Sequence, residues 1–409
     1  MATKKLKNRN VPNLRFPGFE GEWEERKLGE IAEFSKGKGI SKSEIAENGI
    51  TECIRYGELY THYGEVIDEI KSRTNIDAQD LVFSKANDVI IPSSGETQLD
   101  IATASCVIKA GIALGGDLNI IRAACNGIFL SYYLNSKKKM DIARLAQGIS
   151  VVHLYSSELA VLSIRFPTLN EQNKIASFLA LIDRRIATQN KIIEDFRSLK
   201  QTVTKKLFSR RLKFKYPKGQ YFPDWRETKF GELTEVVSSR NKNNEKLPVY
   251  SINNKSGFVP QNEQFDGIDS DERGYDIKMY KLIGKNTFAY NPARINVGSV
   301  GYSGELENII ISSLYVCFKT KESIRDQFLF QYLKTNFFGK EVAKNVEGGV
   351  RDYLFYDNFA KIKFYVPCIQ EQDKIANVLS ELDQKIAMQV SILQNLEEQK
   401  KYFLQKLFI

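Results

Sequence analysis

Six loops of the chain contain glycine, serine, asparagine and basic residues in different combinations. They span residues 35–42, 92–98, 147–153, 240–244, 290–299 and 347–352. Glycine lets a backbone approach phosphate, lysine neutralises phosphate, arginine pairs with guanine edges, and asparagine or glutamine pairs with adenine edges. The candidate contact residues are Lys36, Lys38, Lys42, Ser93, Ser94, Gln98, Ser150, His153, Arg240, Asn241, Arg294, Asn296, Ser299, Gly349 and Arg351. Each loop by itself is more typical of an ordinary solvated turn, and only the duplication and the basic charge balance favour contacts with DNA.

The composition favours a polyanionic partner and argues against catalysis. The formal net charge is +9 and the pI is about 9.0. The chain has five cysteines without a CxxC pair and only two histidines, too few for a zinc site or a histidine-based triad. It has no GxxxxGK[ST] loop, and Asn291-Pro292 lacks the rest of an amino-methyltransferase motif. We therefore expect no catalytic site and no metal or cofactor in this chain.

The start of the sequence predicts no export. Residues 1–10 are polar and basic and lack the apolar region of a signal peptide. No apolar run approaches the roughly 18 residues that a membrane span needs. We expect a cytoplasmic protein that does not enter a membrane.

The sequence contains an internal duplication. Residues 167–208 repeat at 367–408, and about 16 of roughly 42 aligned positions are identical, where chance predicts about two or three. A second match, WEERKLGE at 23–30 against WRETKFGE at 225–232, opens each half. Between these matches the halves diverge. Each half is therefore a variable segment followed by a similar one.

The similar segments carry heptads without proline or glycine. Apolar residues recur with alternating steps of four and three, which predicts a coiled-coil seam. The seam residues are Ile175, Leu179, Ile182, Ile186, Ile193 and Phe196 in the first segment, and Ile375, Leu379, Leu382, Ile386, Leu393 and Leu396 in the second. Asn170 is the predicted N-cap of the first helix. The alternative is two independent amphipathic helices, each packed on its own domain.

The heptads favour an antiparallel pair. A parallel pair in the register of the repeat would set Lys200 against Lys400 in the seam. An antiparallel pair sets Ile186 against Leu396 and Lys200 against Leu382, where the lysine stem can reach out to solvent. It also makes the end of the first helix a neighbour of the start of the second, as the intervening domain requires.

The variable segments mix short β-rich runs, such as 88–92 and 119–121, with helical runs such as 129–134 and 328–333. We predict an α+β fold: two similar globular domains at opposite ends of a two-helix antiparallel coiled coil, related by an internal pseudo-two-fold repeat. The predicted segments are a basic arm (1–20), a first domain (21–166), a first helix (167–210), a second domain (211–366) and a second helix (367–409).

These motifs together resemble a known family, the specificity subunits of type I restriction–modification systems. The resemblance rests on the Trp-x4-Leu/Phe-Gly-Glu opening, the Pro-x3-Glu-Gln-x-Lys-Ile-Ala helix entry, Asp183 and Asp383, and the Lys-Leu-Phe helix ending. It covers essentially the whole chain, and the motifs occur twice in the same order.

The resemblance implies a DNA-binding, non-catalytic subunit that serves bacterial defence and DNA methylation. Each target recognition domain would read one half of a bipartite site in double-stranded DNA. The helices would set the spacing and dock two methyltransferase subunits, which two restriction subunits with translocase and nuclease activity join in the full complex. S-adenosylmethionine, ATP and Mg²⁺ are then expected on those partners.

Two other classes compete with this interpretation. A free-standing nuclease would cleave DNA by itself, and a free-standing methyltransferase would transfer a methyl group by itself. The missing catalytic motifs argue against both. A coiled-coil scaffold that does not touch nucleic acid would leave the mobility of any duplex unchanged, even alongside its partners.

Overall fold

A computed structural model describes residues 10–148, 151–264, 276–346 and 353–409. The chain divides into two compact units. The first comprises residues 1–191 and 391–409, and the second comprises residues 192–390. Both mix helices with β-sheets, as the sequence predicts for an α+β protein.

The first unit contains twelve strands among its described residues. They are β1 (Glu24–Lys27), β2 (Ala32–Lys36), β3 (Thr51–Ile54), β4 (Val66–Ile67), β5 (Ser72–Thr74), β6 (Asp88–Pro92), β7 (Ser94–Gly95), β8 (Ser105–Val107), β9 (Ala113–Leu114), β10 (Leu118–Ala123), β11 (Val152–His153) and β12 (Ser163–Phe166). Its helices are α1 (Leu28–Ile31), α2 (Gln98–Ile101), α3 (Gly127–Tyr133), α4 (Lys139–Leu145), α5 (Ser156–Ala160) and the start of α6 (Leu169–Phe208).

The main sheet of the first unit has the order β2-β10-β6-β8-β4. Its central strand β6, with the sequence DVIIP, is buried at every position. A continuous β-branched run suits a strand that is covered on both faces. The sheet packs against α3, whose Phe129 shares the core with Trp23 of the repeated opening motif.

The second unit repeats this plan with ten strands among its described residues. They are β13 (Arg226–Lys229), β14 (Thr234–Val236), β15 (Val249–Asn253), β16 (Gly257–Pro260), β17 (Lys281–Ile283), β18 (Phe288–Tyr290), β19 (Val300–Tyr302), β20 (Ile309–Ile311), β21 (Val316–Thr320) and β22 (Lys363–Val366). Its helices are α7 (Phe230–Leu233), α8 (Gln261–Gln264), α9 (Asp326–Leu333), α10 (Asn336–Asn345), α11 (Tyr356–Lys361) and the start of α12 (Ile369–Lys406).

Helix α6 contains 40 residues and helix α12 contains 38. Helix α6 begins at Leu169, so Asn170 lies inside the helix and is not its N-cap. Thr168 occupies the cap position, because it directly precedes the helix and its carbonyl accepts the hydrogen bond of Gln172 N at 3.0 Å.

Within each unit the two long helices run antiparallel, as predicted. In the first unit the rings of Phe178 and Phe403 lie 4.9 Å apart, and Lys400 Nζ lies 2.8 Å from Asp183 Oδ1. In the second unit Lys200 Nζ lies 2.6 Å from Asp383 Oδ1. The lysine at the seam is therefore held by a carboxylate of the opposite helix, a pairing that the heptad pattern did not predict.

The predicted seam residues are all buried or half-buried. The helices also pack on the domains. In the first unit Ala176 of α6 and Phe408, which follows α12, join Trp23 in the core. In the second unit Ala376 of α12 and Phe208 of α6 pack with Phe230. The long helices thus pair with each other as well as packing on the domains, and the alternative of two independent helices is wrong.

Candidate nucleic-acid interface

Two of the predicted loops of the first unit meet in the structure. The loop after β6 contains the short strand β7, which pairs with β11, so that Ser94 lies opposite His153. Leu154 N donates to Ser93 O at 3.0 Å. Residues 92–98 and 151–153, which are far apart in sequence, therefore form one surface of the unit.

The side chains on this surface differ in how accessible they are. Ser93 and Ser94 are buried, at 7% and 8% exposed, so their hydroxyls are poorly placed for a partner. Gln98 donates to Ala146 O at 3.4 Å, while the His153 side chain is exposed. Lys36 ends β2, and its Nζ lies 6.0 Å from the centre of the Tyr155 ring.

Lys38 and Lys42 are exposed and lie beyond the end of β2. Lys38 Nζ lies 3.1 Å from Asp80 Oδ1, an exposed ion pair that a phosphate could replace at little cost. Lys42 begins a short 3₁₀ helix, Lys42–Glu44. Both side chains are exposed, and their role as phosphate contacts stays a prediction from the sequence.

The second unit builds an equivalent junction. The loop after β18 meets the segment before α11, where Leu354 N donates to Pro292 O at 3.1 Å. Within this loop Asn291 Oδ1 accepts from Ala293 N at 3.0 Å, and Gly298 adopts a φ of 86°, which favours glycine. The resulting turn leaves Arg294 and Asn296 exposed.

Two predicted contact residues hold loops together instead. Asn241 is 1% exposed; its amide nitrogen donates to Glu245 O and its oxygen accepts from Glu245 N, both at 2.9 Å. Ser299 is buried and donates to Ile252 O at 3.1 Å. A buried side chain whose polar groups are already hydrogen-bonded inside the fold cannot contact a base edge, so neither residue is available to DNA. Arg240 is exposed.

Ser150, Gly349 and Arg351 lie outside the residues that the structure describes. Their assignment as contacts stays a prediction from the sequence.

Sequence reasoning missed three exposed or half-exposed aromatic rings at these junctions. His153 and Tyr155 stack with ring centres 6.5 Å apart, and Tyr353 and Phe355 stack at 5.6 Å. The two pairs occupy the same place in the duplication, since His-Leu-Tyr at 153–155 aligns with Tyr-Leu-Phe at 353–355. The offset of 200 residues could have revealed them.

The buried cysteine thiols of the described residues have low reactivity. Burial raises the pKa of the Cys53 thiol to about 11 and those of Cys106, Cys125 and Cys317 to about 12. These thiols stay protonated and are poor nucleophiles at neutral pH. In the described part of the chain no three His, Cys, Asp or Glu side chains cluster as a metal site would require. Nor does any described helix have the length and apolarity to cross a membrane.

The chain thus contains two similar α+β units with matching loop junctions. The comparisons with known proteins give the family. The model of the type I restriction modification DNA specificity domain matches twice, at residues 20–195 and 223–398. The chain belongs to this family of DNA specificity subunits. It is a non-catalytic, sequence-specific DNA-binding subunit, and its two specificity domains match the predicted bipartite recognition.

Curated relatives agree. The specificity subunit of the type I restriction enzyme MjaVIII from Methanocaldococcus jannaschii is 25% identical over 96% of this chain and 93% of its own length. The specificity subunit of HindI from Haemophilus influenzae is 25% identical over 43% of this chain and 39% of its own length.

A solved structure shows the same fold. The crystal structure of a type I restriction-modification S subunit from M. genitalium matches with a TM-score of 0.64 and 19% identity, covering 98% of this chain and 99% of that one. A chain from a study of complex assembly and conformational transition in the type I system matches with a TM-score of 0.52 and 16% identity, covering 97% and 99%.

Proposed function

We propose that each unit reads its half-site through the loop junction described above, with named residues in two roles. The carrying observation is that the junction is built twice, by Leu154 on Ser93 and by Leu354 on Pro292. Arg294, Asn296, Arg240, Gln98 and His153 would contact base edges. Lys36, Lys38 and Lys42 would contact phosphate.

The test is competition binding with duplexes altered in one half-site at a time, using the motif found by methylation-aware sequencing of host DNA. Arg294→Ala should relax discrimination in the half-site of the second unit by about 1–3 kcal/mol and leave the other unchanged. Lys42→Ala, the matched control, should weaken all duplexes alike and reduce the salt slope by about one. Relaxation spread over both half-sites would contradict independent reading.

We propose further that α6 and α12 set the half-site spacing and dock two methyltransferase subunits, which two restriction subunits then join. S-adenosylmethionine, ATP and Mg²⁺ would be held by these partners. Support for docking comes from apolar side chains that point away from the helix seam. Leu181 is 51% exposed and Ile392 is 38% exposed, and both line an open cleft of about 380 Å³ in the first unit. Exposed apolar surface of this kind is typical of a protein interface.

Replacing Leu181 and Ile392 with Asp should therefore reduce the amount of methyltransferase that co-purifies with the chain. Ile50, which is 85% exposed and lies outside the helices, supplies the control Ile50→Asp. Equal co-purification with both variants would contradict docking at this cleft while leaving the reading of DNA intact.

A further inference from the structure

The two ring pairs are held rigidly at the loop junctions. A fully buried leucine, Leu154 or Leu354, stands between the two residues of each pair in the sequence. Each leucine is tied by its backbone to the neighbouring loop, and Leu154 O also accepts from Asn119 Nδ2 at 2.9 Å. In each pair the outer residue is the second one along the chain, and it is the N-cap of a helix: Tyr155 for α5 and Phe355 for α11. The backbone that carries each ring is therefore fixed on both sides.

The two outer residues are about half exposed to solvent. Tyr155 is 48% exposed and Phe355 is 51% exposed. The planes of Tyr353 and Phe355 differ by only 3°, so the two rings of this pair are stacked in parallel. Aromatic side chains fixed on a surface offer a large contact area at little further entropic cost.

A basic residue at each loop junction indicates the kind of partner. Lys36 lies over the Tyr155 ring, and the exposed Arg294 lies in the loop that binds Leu354. A partner that suits both features is anionic and carries flat π faces, as nucleic acid does. In a duplex the base faces are covered, but a methyltransferase that acts on a base takes it out of the stack and uncovers the adjacent faces.

We propose that the outer ring of each pair, Tyr155 in the first unit and Phe355 in the second, stacks on a base face that base flipping uncovers in the half-site that its unit reads. This inference rests on the proposed function. Hydrogen bonds from the loops would then read base edges, while each ring covers the base face that the flipped base has left open.

The experiment uses the full chain with its methyltransferase partner and short duplexes that carry the motif found in host DNA. Stacking on an aromatic ring is worth about 1–3 kcal/mol per base, so Tyr155→Ala or Phe355→Ala should weaken binding by about 5- to 150-fold. Tyr155→Phe and Phe355→Tyr keep the ring and should bind like the wild type. Tyr155→Leu keeps apolar bulk without a π face and should bind like Tyr155→Ala.

An abasic site moved along each half-site locates the contacted base. At that position the wild type should lose affinity and the alanine variant should lose no more, because the two changes remove the same contact. The position coupled to Tyr155 should lie in one half-site and the position coupled to Phe355 in the other.

Tyr221→Ala is the matched control, since Tyr221 is 60% exposed with Lys215 Nζ 4.5 Å from its ring centre. It should leave binding unchanged, and thermal unfolding should show that all variants fold. Wild-type affinity in both alanine variants would overturn the stacking proposal while half-site discrimination by the wild type still supports the proposed function. A wild-type protein that does not discriminate half-sites would overturn the proposed function itself.

Discussion

The two units solve the same burial problem with different partners. Glu171 and Glu371 occupy equivalent positions at the start of the long helices and are 1% and 3% exposed. In the first unit Arg15 clamps Glu171 with contacts of 2.8 and 2.7 Å. In the second unit Trp225 Nε1 donates to Glu371 at 3.0 Å.

The equivalent tryptophan of the first unit differs from Trp225 in its hydrogen bonding. Trp23 Nε1 is buried and has no hydrogen-bond partner among the residues that the structure describes, while Arg15 holds Glu171. The repeated helix thus carries a buried carboxylate that needs a partner, which is a cation from the N-terminal arm in the first unit and an indole from the domain itself in the second.

The lysines at the seam show the same division. Lys200 pairs with Asp383, whose side chain is 45% exposed. Lys400 pairs with Asp183 and also with Glu65 at 3.0 Å, and both carboxylates are less exposed, at 29% and 17%. The variable domain of the first unit therefore adds a second carboxylate to an ion pair that the duplication supplies twice.

The largest expected effect comes from removing the clamp on Glu171. Arg15→Ala leaves a buried carboxylate without its cation and should lower the free energy of unfolding by about 3–5 kcal/mol. In the second unit, Trp225→Phe removes only a hydrogen bond from Glu371 and should cost about 1–3 kcal/mol. Chemical denaturation of both variants tests the ranking, and equal losses would show that the cation is no better a partner than the indole.

A smaller effect separates the two lysines. Lys400→Met leaves two partly buried carboxylates, Glu65 and Asp183, without a cation and should lower the free energy of unfolding by about 2–3 kcal/mol. Lys200→Met leaves only the half-exposed carboxylate of Asp383 without a cation and should lower it by less than about 1 kcal/mol. Thermal unfolding of the two variants against wild type measures this difference. Equal destabilisation would mean that Glu65 adds nothing to the pair.

The same contrast has a pH signature. Burial lowers the pKa of Lys400, but the carboxylates of Glu65 and Asp183 outweigh it, so its pKa lies above the ordinary 10.5. The stabilisation is then fully present below the unfolded pKa and is lost as pH rises through the folded one. As the pH is raised above 10.5, the midpoint temperature of thermal unfolding should fall less steeply with pH for Lys400→Met than for the wild type.

The smallest effect concerns Glu371. Burial raises its pKa above the ordinary 4.5, against the hydrogen bond from Trp225. The folded state therefore binds the proton more tightly, and this stabilisation, present below the unfolded pKa, is lost as pH rises through the folded value. Glu371→Gln should remove that part of the pH dependence of unfolding, by less than about 1 kcal/mol. An identical pH profile in the variant would contradict the raised pKa.

The sequence alone determined the duplication, the two long helices and their antiparallel register. These features are local and periodic: the heptads of 175–207 and 375–407 fix which helix face is apolar, and the like charges at Lys200 and Lys400 exclude the parallel register. It also identified the loops at 92–98 and 290–299 by their turn chemistry.

Only the tertiary structure decided which of these loops meet and which side chains they expose. Asn241 has the composition of a base-reading residue, yet it is buried because its amide closes its own loop. Tyr155 and Phe355 look like ordinary core aromatics in the sequence, yet their fixed positions at the junctions leave them half exposed. Such outcomes depend on backbone pairing between distant segments, which residue type and spacing do not specify.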